Sequence, residues 1–189
     1  MNKCIYKLKI TLMGSKPPIW RRVLVSSNIT FEALHDIIQP AFGWSDCHLH
    51  EFEIDNLRIG TNDEDSIEPV EEESEFVLDE YAQRGDTFLY TYDFGDNWEH
   101  RILVEDMLPA DSTNSVPRCI AGRRACPPEN VGGVWGYQEF LSSISDPSHE
   151  EHANYTEWIG GNFDPEEFDL NAVNTLIANW IPSRQLYNH

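Results

Sequence analysis

The spacing of apolar residues changes twice within the first 60 positions, and this constrains the fold more than any other feature. Apolar and polar residues alternate along 6–12, which predicts a half-buried strand, and a return strand over 20–25 follows a turn rich in Gly and Pro. Between residues 31 and 41 the apolar positions recur at helical spacing, and the alternation returns over 49–54. This strand–strand–helix–strand order is similar to the opening of a β-grasp sheet.

A second hairpin is predicted from residues 87–92 and 97–105, joined by an Asp- and Gly-containing turn. In its second arm Trp98 and His100 fall on one strand face, together with two aliphatic residues. We therefore predict that this hairpin joins the same sheet and that Trp98 is buried.

The rest of the chain divides by composition. Residues 61–75 are a run of acids with little to bury, which predicts a mobile loop. Residues 109–136 are rich in Pro, Gly and Arg, which predicts an ordered loop with at most one short strand. Helices are predicted from there to the end. The sequence thus predicts one α+β domain over 1–189, with a mixed, mostly antiparallel sheet within 1–108 and a helical C-terminal third within 109–189.

Proline positions set several expected boundaries. Pro17 and Pro18 should hold the second strand towards a sheet edge at its start. Asp-Pro pairs at 146–147 and 164–165 should each begin a helix, and Pro182 should close the last helix.

The net charge of −20 bears on partners and location. Repulsion from phosphates argues against duplex DNA or an anionic membrane surface as a partner. The six bases of residues 1–25 stand without a single acid, so a nucleic-acid binder without metal remains a third-ranked alternative. No apolar segment has the length of a signal-peptide core or a membrane span, which predicts a cytoplasmic protein with reduced thiols.

Five segments resemble the plasmid pRiA4b ORF-3-like family, and together they extend over nearly the whole chain. They are PIWRR (18–22), AFGW with HLHEF (41–52), YDFGDNWEH (92–100), CIAGRRACPPENVGG (119–133) and WIGGNFDP (158–165). The family has no known reaction to transfer. Its members look like products of plasmids, mobile elements and ordinary genomes, so the resemblance implies an accessory role without a mechanism.

The second hairpin also carries the candidate metal ligands. Asp93, Asp96 and His100 are close in sequence, and His48 and His50 could approach from the neighbouring strand. Two imidazoles with one or two carboxylates suit Zn²⁺ or Fe²⁺, and such an ion could activate water. The alternatives are that both Asp residues only cap the turn, and that Asp93, Asp96, Trp98 and His100 form a binding surface without metal.

The loop at 118–133 holds two further groups. Cys119 and Cys126 have six residues between them, which disfavours structural zinc and leaves buried free thiols or a redox disulfide. Val131 stands where relatives often have a third Cys, which argues against a shared Cys-rich site. Arg123 and Arg124 could clamp a phosphate or carboxylate, or pair with the protein's own acids.

No recognisable catalytic signature is present: the sequence lacks a phosphate-binding glycine loop, a nucleophile elbow and a helical zinc motif. The first hypothesis is therefore a non-enzymatic protein- or peptide-interaction module without a cofactor. The second is a metal-dependent hydrolase or nuclease that uses the five His and Asp residues around the second hairpin.

Overall fold

The computed structural model of the protein describes residues 4–61, 70–110 and 115–187, with side chains up to residue 180. In chain order its elements are β1 Cys4–Leu12, β2 Ile19–Ser26, α1 Phe31–Phe42, β3 His50–Ile54, β4 Leu57–Gly60, β5 Glu71–Glu72, α2 Leu78–Tyr81, β6 Thr87–Tyr92, β7 Trp98–Pro109, β8 Arg118–Arg123, α3 Gly133–Ser145, α4 His152–Ile159 and α5 Leu170–Tyr187.

The strands form a single sheet in the order β5-β4-β3-β6-β7-β1-β2-β8. Every pairing is antiparallel except that of β4 with β5. The α+β class, the ββαβ opening and the shared sheet of the two hairpins are confirmed. The β6–β7 hairpin lies between β1 and β3, so the first and third strands of the opening are not neighbours.

Helix α1 begins and ends at the expected signals. The Thr30 hydroxyl accepts a hydrogen bond from the backbone N–H of Ala33, and Gly43 ends the helix in the left-handed conformation with φ 80°. Pro40 lies inside the last turn, where it does not stop the helix before Phe42. The helix packs its apolar side on the sheet and buries Phe31, Leu34 and Ile38 there.

Alternation along β7 divides the two faces of the sheet. Trp98, His100, Ile102 and Val104 are at most 1% exposed, whereas Glu99 points to water. The period of two therefore gave the buried face correctly.

The acidic run of residues 61–75 differs from the prediction near its C-terminal end. Residues 62–69 lie outside the described residues, so their part of the mobile-loop prediction is not covered. Glu71 and Glu72 form β5, and Glu73 is only 5% exposed. The expectation of a loop with nothing to bury is wrong for residues 71–73, because the Glu73 carboxylate has a buried histidine as its hydrogen-bond partner.

Several expected boundaries also need correction. Strand β2 is not at the edge, because β8 pairs with it from Trp20 to Leu24 and is itself the outer strand. Asp146 closes a local turn by accepting the N–H of Ser148, and α4 begins only at His152.

The last helix also begins later than expected, because the Asp of the Asp-Pro pair again closes a local turn. Asp164 accepts the N–H of Glu166 in a short turn, and Asp169 caps α5 instead through the N–H groups of Asn171 and Ala172. The helix continues through residue 182 to Tyr187. Among the described residues, no helix combines the length and apolarity needed to cross a bilayer.

Candidate functional site

Three of the segments that carry the family resemblance meet at one end of the sheet. The indole N–H of Trp44 donates to the carbonyl of Pro127 at 3.0 Å, and the Tyr92 hydroxyl donates to Glu129 at 2.6 Å. The backbone N–H of Cys47 donates to the same Tyr92 oxygen at 3.0 Å. Burial and the hydrogen bond to Glu129 raise the pKa of Tyr92, so it stays a neutral donor. The segment after α1, the β6–β7 turn and the 127–132 loop are thus locked together.

The two Asp side chains of the hairpin turn accept hydrogen bonds from backbone N–H groups. Asp93 Oδ1 accepts the N–H groups of Gly95 and Asp96 at 2.9 and 3.3 Å, and Asp93 itself has φ 56°. Asp96 Oδ2 accepts the N–H of Gly132 at 3.1 Å. At Gly133, with φ 67°, an added Cβ would lie 2.4 Å from the Asp96 carbonyl oxygen, so glycine permits the close approach of the loop to the turn.

The five predicted metal ligands fall into three surroundings. His48 Nε2 lies 3.5 Å from Asp93 Oδ2 and 3.1 Å from Asn130 Oδ1 at the partly exposed turn. His50 begins β3 and turns inwards to Glu73, at 2.7 Å. His100 is fully buried among the rings of Phe42, Trp44 and Tyr90. Among residues 4–61, 70–110 and 115–187, no three of the five come close enough to share an ion.

His50 instead joins a cluster that the sequence did not indicate. The rings of His35 and His50 stack with centroids 3.4 Å apart and planes 9° from parallel. His35 Nε2 lies 2.9 Å from Asp46 Oδ1, and the ligand atoms of His35, Asp46 and His50 all lie within 4.8 Å of one another.

The carboxylate of Glu73 completes the surroundings of this cluster. Burial opposes its ionisation, but the hydrogen bond from His50 and the charges of His50 and His35 outweigh that cost and lower the pKa of Glu73. Thr61 donates a second hydrogen bond to the same carboxylate at 3.3 Å. A negative charge is therefore held against the stacked histidine pair.

Trp98 and His100 are core residues whose side-chain nitrogens are buried without well-formed hydrogen bonds. Neither the Trp98 indole nitrogen nor the His100 ring nitrogens make a hydrogen bond of good geometry. Burial lowers the pKa of His100 to about 3, an effect that the backbone of Tyr90 and Trp98 only partly opposes. Trp98 also lines a pocket of about 120 Å³ beside α3.

The candidate arginines differ from each other. Arg124 forms an ion pair with Glu166, with 2.7 Å between Nε and Oε1, and also donates to the carbonyl of Pro18 at 3.1 Å. Arg123 is an exposed side chain at the end of β8. The two guanidinium groups therefore do not form one clamp, and the internal pairing expected as an alternative occurs at Arg124.

Arg21, which sequence reasoning did not single out, is the buried arginine. It is 4% exposed and donates to the carbonyls of Ala41 and Arg124 and to the sulfur of Cys126 at 2.8, 2.9 and 3.0 Å. The alternation of β2 puts Arg21 on the core face with Ile19, which is the signal that could have found it. It ties the end of α1 to the loop after β8.

All four cysteines are free thiols. Cys119 is buried, which raises the pKa of its thiol, and burial raises that of Cys126 to about 11. Cys47, in the loop between α1 and β3, is exposed.

Three large apolar side chains are exposed around the hairpin turn. Leu49 is 46%, Phe94 53% and Trp135 83% exposed. Leu49 accepts the N–H of Asp93 through its carbonyl, Phe94 is the next residue, and Trp135 follows the glycine that contacts Asp96. We call these three residues the tip patch.

Comparison with known proteins confirms the family resemblance that the sequence motifs indicated. The sequence model of the plasmid pRiA4b ORF-3-like protein family matches residues 4–172. The chain is 38% identical over 187 residues to the uncharacterized protein y4hQ of Sinorhizobium fredii (strain NBRC 101917 / NGR234), covering 95% of this chain and 96% of that one.

A solved relative shares the fold. The crystal structure of MM3350 from Methanosarcina mazei Go1, a protein of unknown function, is 40% identical and superposes with a TM-score of 0.83, covering 90% of this chain and 98% of that chain. The matches in sequence and structure extend over almost the full length of both relatives. The chain therefore belongs to the plasmid pRiA4b ORF-3-like family.

Proposed function

We propose that the protein is a non-enzymatic interaction module whose tip patch binds a cationic segment of a partner protein. The observation that carries this proposal is the 83% exposure of Trp135. An exposed tryptophan ring forgoes the favourable free energy of burying its large apolar surface. Aromatic side chains of this kind are enriched at the centres of protein interfaces. Phe94 and Leu49 are two further exposed apolar side chains at the same turn.

The charge around the tip patch supports a basic partner. The segments 44–50, 92–100 and 127–136 contain five acids, Asp46, Asp93, Asp96, Glu99 and Glu129, and no Lys or Arg. Trp135 offers an exposed ring face to a Lys or Arg side chain, and an acidic rim speeds the approach of a positively charged segment. The accessory role among plasmid- or mobile-element-type genes is part of the same proposal.

The other candidate, a metal-dependent hydrolase or nuclease at the second hairpin, has weaker support. Of its five residues only His48 and Asp93 are near neighbours, and at 3.5 Å they could supply two ligands to an ion. Asp93 already accepts two backbone hydrogen bonds, and Asp96 accepts one. These contacts favour a role for both carboxylates in shaping the turn.

A selection from a random peptide library on the immobilised protein tests the proposal. We expect enrichment of peptides that combine Lys or Arg with an aromatic or aliphatic residue. Trp135→Ala should weaken the binding of such a peptide at least about tenfold, in the range expected for a central interface residue, and added salt should weaken it further.

The matched control is Leu176→Ala. Leu176 is 49% exposed on α5, in a different part of the chain, and its loss should leave the peptide affinity within about twofold. The proposal is refuted if no cationic peptide is enriched, or if Trp135→Ala and Leu176→Ala have equal effects.

A further inference from the structure

A small cavity lies between α3 and the ends of three strands. Leu12 ends β1, Ile19 begins β2 and Trp98 begins β7, and all three line the cavity. Tyr137 and Leu141 of α3 line it as well, and its volume is about 120 Å³. An apolar cavity of about 150 Å³ can hold one benzene molecule. This cavity therefore suits a ligand whose body is about as large as a single ring or a short branched chain.

One hydroxyl of the cavity wall has no hydrogen-bond partner. Tyr137 is 6% exposed, and its hydroxyl makes no hydrogen bond to any residue that the structure describes. Burial is the main cause that raises the pKa of Tyr137, so the group stays a neutral donor at physiological pH. A buried hydroxyl without a hydrogen bond is unfavourable, and an acceptor atom on a ligand in the cavity would supply the missing bond.

The charged residues around the cavity favour an anion. Arg124 and Glu166 both line it and neutralise each other, with 2.7 Å between Nε and Oε1. Lys16 also lines it, is exposed to water, and has no ion-pair partner in the part of the chain that the structure describes. The wall thus carries one uncompensated positive charge in a chain whose net charge is −20. Charge complementarity of this kind selects an anion over a cation of the same size.

We propose that this cavity binds a small monocarboxylic acid whose body is one aromatic ring or a short branched chain. The body contacts Trp98, Ile19 and Leu141. The carboxylate accepts hydrogen bonds from the hydroxyl of Tyr137 and the ammonium group of Lys16. Apolar walls with a few polar groups that fix the orientation are the usual composition of a small-molecule site. No residue of the tip patch lines the cavity, so the two proposals are independent.

Calorimetric titration of the protein with sodium benzoate, phenylacetate and 3-methylbutanoate tests the site. We expect at least one of these acids to bind with one molecule per chain. Benzylamine, which has a ring but a positive charge, and acetate, which has the charge without the body, should each bind at least about tenfold more weakly. In carbon–proton correlation spectra the bound acid should shift the methyl signals of Leu12, Ile19 and Leu141, and leave those of Ile54 and Val104 unchanged.

Two conservative variants identify the polar contacts. Tyr137→Phe keeps the ring and Lys16→Gln changes an exposed residue, so both should fold, which circular dichroism checks. Each should weaken binding of the acid about five- to tenfold, because each removes one hydrogen bond to the carboxylate. Lys9→Gln is the matched control, since Lys9 lies over the Trp20 ring on the face of the sheet opposite the core. Its affinity for the acid, and that of Trp135→Ala, should stay within about twofold of the unchanged protein.

Three results would overturn the proposal. The first is that none of the three acids binds, and the second is that benzylamine binds as tightly as they do. The third is that either Tyr137→Phe or Lys16→Gln, while folded, binds the acid as the unchanged protein does. Loss of binding in Trp135→Ala alone belongs to this third result, and it would assign the acid to the tip patch.

Discussion

Replacing Trp98 by alanine should lower the free energy of unfolding by about 3–5 kcal/mol, the range for truncating a large buried aromatic. The indole is 1% exposed, lies 5.9 Å from the Trp44 ring by centroid distance, and borders a pocket of about 120 Å³. Truncation would enlarge an existing space that the surrounding strands cannot close. Urea unfolding followed by far-UV circular dichroism measures the change.

Two variants make the result specific. Trp98→Phe should cost less than Trp98→Ala, because the indole nitrogen has no hydrogen bond of good geometry to lose and most of the ring volume remains. Trp135→Ala should change stability by no more than about 0.5 kcal/mol, since that side chain is 83% exposed. Equal losses from the two alanine variants would contradict the burial described for Trp98.

The burial of Trp98 could be predicted because a strand has only two faces. Once Ile102 and Val104 define the core face of β7, alternation fixes Trp98 and His100 on the same side. The same reasoning distinguishes Arg21, on the core face of β2, from Arg22, which pairs with Glu105 on the open face. Local periodicity is thus sufficient wherever a residue lies inside a regular strand.

Alternation fails where the strand has not begun. His48 and His50 were expected to approach the second hairpin from one neighbouring strand, but β3 starts at His50. His48 belongs to the preceding loop and contacts Asn130, while His50 points to Glu73. The backbone direction of that loop depends on its contacts with residues 127–130, which are about 80 positions away in the sequence.

The buried histidine cluster depends on contacts of the same kind. Glu73 lies in an acidic run whose neighbours, Glu72 and Ser74, give no sign that one carboxylate is buried. It is selected by the pairing of β5 with β4, which brings residue 73 next to His50. Strand pairing between distant segments has no signal in a single sequence, so neither Glu73 nor the meeting of His35 with His50 could be predicted.

Trp135 is a different case, because the sequence did contain a signal. Tyr137, Phe140 and Ile144 recur at helical spacing in α3, and Tyr137 and Phe140 are buried. Position 135 lies off that face of the helix, since it is not three, four or seven residues from any of the three. An exposed tryptophan could therefore have been predicted, and with it the patch to which we assign partner binding.

The burial of His100 should make the protein sensitive to acid. Its folded pKa of about 3 is below the ordinary value near 6.5, so between these pH values the unfolded chain binds a proton that the folded chain does not. The stabilising effect of the neutral ring is complete above pH 6.5 and is lost as the pH falls. The loss should be about 2 kcal/mol between pH 7 and pH 5, and about 4–5 kcal/mol once pH 3 is reached.

Urea unfolding of the protein and of His100→Leu at pH 7 and pH 5 isolates this effect. Leucine cannot be protonated, and the ring nitrogens make no hydrogen bond of good geometry that it would remove from the cage of Phe42, Trp44 and Tyr90. The variant should therefore lose about 2 kcal/mol less than the unchanged protein over this interval. If His100→Leu and the unchanged protein lose equal stability, the proton taken up on unfolding belongs to another group and the described burial of His100 is incorrect.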